Sequence, residues 1–115
     1  MSTSDDLFAR SKLVSPGGVH SPVRAFKGVG GTPRFMTGGH GAFMTDVDGR
    51  DYVDFLSAFG PLILGHGNAA VREAAIGAIN RGWSLGTTEP YSLDLAEFIT
   101  RRIPWVQSVR FVNSG

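Results

Sequence analysis

The stretch SPGGVHSPVRAFKGVGGTP, Ser15 to Pro33, constrains this chain more than any other. Its prolines fix φ and remove backbone donors, and its glycines carry a high entropic cost of ordering, so it can be neither a regular helix nor a central strand. Any helix before it must end by Ser15, and any sheet must begin after Pro33. Three roles remain: a slack linker, a phosphate-cradling loop, or a rigid segment that holds Arg24 in place. The phosphate loop fails on context, because GVGGTP (Gly28–Pro33) has no Lys-Ser/Thr ending and no strand-loop-helix setting. Arg24 lies between Val23 and Ala25. A guanidinium on a stiff backbone suits bidentate binding of a carboxylate or phosphate. The same pattern also fits an exposed loop arginine, or one that pins backbone carbonyls.

The flanking sequence reads as a mixed α/β chain. SDDLFARSKLV forms a short helix with Ser4 as N-cap and Asp5 and Asp6 at its positive end. Short aromatic and β-branched runs from Arg34 to Phe55 predict a small antiparallel sheet, with Asp48-Gly49 as a hairpin turn. Asn68 caps a helix whose Val71, Ala74, Ala75, Ala78 and Ile79 share one face, and Gly82 sits at its C-terminal end. A further helix runs from Ser92 to Arg102. Leu95, Ala96, Ile99 and Ile103 form its buried stripe, Glu97 pairs with Arg101, and Pro104 ends it. SVRFV, Ser108–Val112, reads as a strand, followed by a turn at Asn113-Ser114-Gly115. In a doubly wound sheet, such a turn precedes the helix that binds an anion.

Composition narrows the chemistry. The net charge is +1 over 115 residues, with eleven basic and ten acidic side chains, which argues against a nucleic-acid partner held by its phosphate backbone. With no cysteine, disulfides and thiolate chemistry are excluded. The polar, acidic start is unlike a signal peptide, and PLIL is far short of the roughly 18–20 residues of a membrane span, so a soluble cytoplasmic protein is expected. His20, His40 and His66 have no metal-ligand spacing. His66, just before a helix cap, suits a structural hydrogen bond. TDVDGRDYVD lacks the glutamate that closes a calcium loop. Trp83 and Trp105 read as core or interface. Phe59, bracketed by glycine-rich sequence, is the aromatic most suited to a ligand.

Taken together, SPGGVHSPVRAFKGVGGTPRF, GAFMTDVDGRDYVDF, GPLILGHGNAAVREA and VRFVNSG resemble the N-terminal portion of the glutamate-1-semialdehyde 2,1-aminomutase family, within the class III pyridoxal-phosphate-dependent aminotransferases. The first segment is the specific one, and the second and third are shared across class III. The resemblance implies a partial fold type I transferase. Residues 1–66 would form an N-terminal segment with the glycine-rich substrate loop and small sheet, and residues 67–115 would begin the large cofactor domain with its first helices and strand. It implies conversion of glutamate 1-semialdehyde to 5-aminolevulinate for tetrapyrrole synthesis, with pyridoxal 5'-phosphate cycling through its pyridoxamine form in a homodimer. Arg24 would pair with the substrate carboxylate, Ser21 and Phe59 would line the substrate site, and Ser114 and Gly115 would start the turn that binds the cofactor phosphate. Where the family reads GSWGP this chain reads SAFGP, so Ala58 and Phe59 replace a hydroxyl and an indole. Lys12 and Lys27 are the only lysines, and neither is placed to hold the cofactor. The 115 residues alone are therefore expected to be inactive. Another class III aminotransferase, or a non-catalytic remnant that binds a partner subunit, remains an alternative.

Overall fold

The computed structural model describes residues 3–113. Helix α1 (Ser4–Val14) leads into two short 3₁₀ turns, Pro16–Gly18 and Pro22–Ala25. Strands β1 (Met36–His40), β2 (Phe43–Asp46) and β3 (Asp51–Val53) follow, then helices α2 (Ala69–Asn80) and α3 (Pro90–Arg102). The chain divides into two compact units, Met1–Ala74 and Ala75–Gly115.

Helix α1 is capped by Thr3, one residue before the expected Ser4. The Thr3 hydroxyl accepts from Asp6 N at 3.3 Å, and the Asp6 carboxylate accepts from Thr3 N at 3.0 Å, closing a reciprocal capping box. Ser4 has another task. It is fully buried, its Oγ accepts from Phe35 N at 3.3 Å, and its N–H donates to Asp48 Oδ1 at 3.4 Å. One residue thus ties the helix to the entry of β1 and to the β2–β3 turn.

The sheet is antiparallel in the order β1-β2-β3, within the expected span. His40 pairs with Phe43 across the two-residue turn Gly41–Ala42, and their rings stack with centroids 5.6 Å apart. The second hairpin turns at Asp48-Gly49, with Gly49 at φ 80°. Asp46, 2% exposed, organises that turn. Its Oδ1 accepts from Asp48 N (2.9 Å) and Arg50 N (2.8 Å), and its Oδ2 accepts from the Tyr52 hydroxyl (2.9 Å). Burial works to raise the Asp46 pKa. The Arg50 N–H, the Tyr52 hydroxyl, the Asp48 N–H and the Arg50 charge outweigh it, and the carboxyl sits below its ordinary value.

In the second unit, the Glu89 carboxylate caps α3 through Tyr91 N (2.6 Å) and Ser92 N (3.1 Å), with Pro90 in the first turn. The helix therefore begins two residues before the expected Ser92. Glu97 and Arg101 form the expected pair at 2.9 Å. Asn68 Oδ1 accepts from Val71 N at 3.2 Å, and Gly82 adopts φ 83° after α2, both as expected.

Two expectations fail. The α3 stripe is not fully buried: Leu95 is 48% exposed and Ala96, Ile99 and Ile103 are partly buried, and no hydrophobic side chain among the described residues is buried. Ser108–Val112 forms no strand, because a strand needs a neighbour for its N–H and C=O groups and none of the described strands pairs with it. Among the described residues, Ser4 and Asp46 are the most enclosed side chains.

Replacing Asp46 with alanine should cut hydrogen-exchange protection of the Asp48 and Arg50 amides by about tenfold or more, as measured by NMR. Because the folded-state pKa of Asp46 is lowered, its contribution is present above about pH 4 and is lost as pH falls through the folded value. Acid titration should therefore release these two amides in the parent chain and leave little further change in Asp46→Ala.

Candidate functional site

The loop between Asp54 and His66 is tied at both ends to the β1–β2 turn. Asp54 N donates to Ala42 O at 2.8 Å. His66 N donates to Gly41 O at 2.8 Å, and Gly41 N donates to His66 O at 2.9 Å. The two loop ends then join through their side chains, with His66 Nε2 2.7 Å from Asp54 Oδ2. Asp54 Oδ1 accepts from Leu56 N (2.8 Å) and Ser57 N (3.1 Å). The bond from His66 is the largest influence on Asp54. With the Leu56 and Ser57 N–H groups it outweighs burial and holds the carboxyl below its ordinary pKa. The carboxylate is thus the acceptor, and His66 donates through Nε2–H.

Absent side chains make this closure possible. A Cβ on Gly39 would lie 2.7 Å from His66 Cγ, and one on Gly65 would lie 2.6 Å from Gly41 O. The His66 ring occupies the space above Gly39.

The braced loop carries a left-handed turn. Ser57, Ala58 and Phe59 have φ of 47°, 51° and 66°, followed by Gly60 at 112°. Non-glycine residues in this region cost about 1–2 kcal/mol each, so three in succession persist only where the surroundings impose them. Besides Asp54, the bonds that impose it are Phe59 N to Leu56 O (2.9 Å), Gly60 N to Ser57 O (2.9 Å) and Leu62 N to Ser57 O (3.2 Å). Phe59 emerges 72% exposed. A hollow of about 350 Å³ lies against the loop, bordered by Gly41, Asp54, Ser57, Leu62 and His66.

Ser21 and Arg24 occupy a second braced segment. Arg24 N donates to Ser21 O at 3.0 Å within the Pro22–Ala25 turn. Phe26 follows at φ 56°, and its carbonyl accepts from Val29 N (3.1 Å) and Gly30 N (2.7 Å). The Arg24 side chain is exposed and makes no hydrogen bond or ion pair with a described residue. The segment is a defined turn that presents an unengaged guanidinium. Among the described residues, no hydrogen bond or ion pair joins Ser21 or Arg24 to the Phe59 loop. Ser114 and Gly115, expected at the cofactor phosphate, lie outside the described residues.

Asp54 was not among the expected site residues. Its signal would have been an aspartate just after a strand, twelve residues before a histidine. A larger hollow of about 690 Å³ lies in the second unit, where Arg81 sits 4.9 Å from the centre of the Tyr91 ring and the Glu89 carboxylate is engaged as a cap. It gathers no acid–base pair.

Gly39→Ala should displace the His66 ring and weaken its bond to Asp54. The 15N shift of His66 Nε2 should move, while the β2–β3 amides keep theirs. An unmoved Nε2 resonance would show that the ring tolerates the added carbon.

The family model of the class III aminotransferases matches residues 26–115. The glutamate-1-semialdehyde 2,1-aminomutase of Leptospira interrogans is 56% identical over 113 residues, covering 98% of this chain and 26% of that protein. Among solved structures, an omega-transaminase from Sphaerobacter thermophilus superposes with a TM-score of 0.88 at 34% identity, covering 99% of this chain and 25% of that one. A transaminase with PLP bound gives 0.86 at 36%, covering all of this chain and 27% of that one. The chain thus spans about a quarter of the length of the relatives it matches, and its helices and three-stranded sheet are a partial fold type I arrangement. On this breadth of match, the chain belongs to the class III aminotransferases.

Proposed function

We propose that these residues form part of a glutamate-1-semialdehyde 2,1-aminomutase, a pyridoxal-phosphate enzyme that moves an amino group within one molecule to give 5-aminolevulinate. The observation that carries this reading is the 56% identity to the Leptospira interrogans aminomutase over nearly the whole chain. The catalytic assembly is taken to be a cytoplasmic homodimer of longer chains, to which this segment contributes substrate contacts.

The described residues do not by themselves fit the cofactor. Lys12 has its Nζ 4.9 Å from the centre of the Phe8 ring, and neither Lys12 nor Lys27 borders the hollow beneath the Phe59 loop. When bound, pyridoxal phosphate supplies the electron sink for amino-group chemistry. The chemistry assigned to this chain is recognition. Arg24, on its proline-set turn, offers two parallel N–H donors to the substrate carboxylate. Ser21, whose side chain makes no cap bond in that turn, is free to add a hydroxyl contact. Phe59 forms an apolar wall that limits water and the range of substrate orientations. A mobile five-carbon substrate needs such restraint, because its two ends must be told apart.

A second reading is a class III transaminase acting on another amine or amino acid. The similarity to the omega-transaminase, at a TM-score of 0.88, favours it. So does the purely hydrocarbon surface that Ala58 and Phe59 offer a ligand.

The complete polypeptide carrying this segment, loaded with pyridoxal phosphate, should convert glutamate 1-semialdehyde without an added amino donor. Strict dependence on a donor would select the transaminase reading. Arg24→Ala should lower kcat/KM for the semialdehyde by about a hundredfold, mostly through KM, with Arg24→Lys recovering only part of the loss. Unchanged kinetics in Arg24→Ala would remove Arg24 from the substrate site.

A further inference from the structure

We propose that Asp54 and His66 form a positioning pair that sets the Ser57–Gly60 left-handed turn, and through it fixes Phe59 against the substrate. The proposal rests on the reading of Phe59 as a wall of the substrate pocket and adds to it the device that holds the wall.

Five observations converge on the pair. The turn runs against backbone preference at Ser57, Ala58 and Phe59, so an outside restraint must hold it. Asp54 supplies that restraint directly, through two N–H bonds to Oδ1 at the turn's first residues, Leu56 and Ser57. Asp54 is in turn oriented by His66, whose Nε2 lies 2.7 Å from Oδ2, so one carboxylate oxygen faces the turn and the other faces the imidazole. Both residues are fixed by backbone bonds to adjacent residues, Gly41 and Ala42, which makes the β1–β2 turn the common base. The Asp54 side chain is 5% exposed and that of His66 is 20% exposed, so water competes weakly for the bond between them.

The pair differs from an ordinary loop anchor in what it leaves free. Phe59 is 72% exposed, and the hydrogen bonds that close the loop come from Asp54, His66 and backbone groups. Its direction is set by the backbone beneath it, and that backbone is set by Asp54. Loss of the His66 side chain would leave the Asp54 carboxylate held only by the Leu56 and Ser57 N–H groups, without the bond that orients its second oxygen, and the turn would then relax toward right-handed φ values. The ring of residue 59 would then swing by the width of a side chain without the sheet moving. A displacement of that size at a substrate contact costs far more in binding and orientation than in stability.

The test uses the pyridoxal-phosphate-loaded complete polypeptide and four variants: His66→Ala, His66→Gln, Phe59→Ala and the double His66→Ala/Phe59→Ala. His66→Ala should raise KM for the semialdehyde by about tenfold or more, with the cofactor absorbance band and cofactor content unchanged. His66→Gln, which retains a donor toward Asp54, should recover most of that loss. Phe59→Ala should show a similar rise, and the double variant should be no worse than Phe59→Ala, because His66 acts through Phe59. A normal KM in His66→Ala beside a raised KM in Phe59→Ala overturns the positioning role and leaves the pocket reading intact. A normal KM in Phe59→Ala overturns the pocket reading, and the positioning proposal falls with it. Additive losses in the double variant, or a His66→Ala protein that loses cofactor and fold together without rescue by His66→Gln, also overturn the proposal. If His66→Ala does not accumulate while His66→Gln does, Asp54→Asn replaces it: the amide keeps an acceptor for the turn but loses the charge facing His66, and its KM is read against the same outcomes.

Discussion

The β1–β2 turn, Gly41–Ala42, bears more of this structure than its size suggests. It closes a hairpin through the His40–Phe43 pair, and it also receives Asp54 from one end of the following loop and His66 from the other. Two consecutive residues thereby fix the span from β1 to the start of α2. The imidazole and carboxylate add a side-chain clasp above this backbone junction. The arrangement depends on missing atoms as much as on present ones, since the ring rests where a Gly39 side chain would stand. The cost of three left-handed residues is tolerable because this junction is over-determined.

Elements whose causes are local in sequence could be read from it. The Asp48-Gly49 hairpin, the Asn68 cap, the Glu97–Arg101 pair and the end of α2 at Gly82 each follow from residues within a few positions of one another. The cap of α1 was displaced by a single residue, because Thr3 and Ser4 can both cap and the choice was made by Phe35, thirty-one positions away. The start of α3 moved for a related reason: Glu89 can curl onto its own helix, a role that Ser, Thr, Asp and Asn usually hold. His66 was recognised as structural, but its partner was not, since nothing near Asp54 announces a contact twelve residues on. The left-handed turn was the least legible feature. Glycine is the usual sign of that conformation, and Ser57, Ala58 and Phe59 carry none.

The candidate site residues divide in the same way. Arg24 stood out because prolines and glycines around one cation are conspicuous in sequence, and the structure places it on a short turn with its side chain unengaged. Phe59 was conspicuous for its setting, but the geometry that sets its direction came only from the fold. The apolar stripes of α2 and α3 show the converse. Their spacing is helical, but spacing describes only one side of an interface, and Val71, Ile79 and Leu95 on it are exposed.

The shared anchor also imposes an order on assembly. The loop from Asp54 to His66 has nothing to close on until His40 has met Phe43, because its docking groups exist in the right relation only on a formed hairpin. Hairpins form in about 1–10 microseconds, and closing a loop of about ten residues takes tens of nanoseconds once its ends can meet. On those timescales the hairpin is the slower, template-setting event, and the loop that carries Phe59 closes on it afterwards.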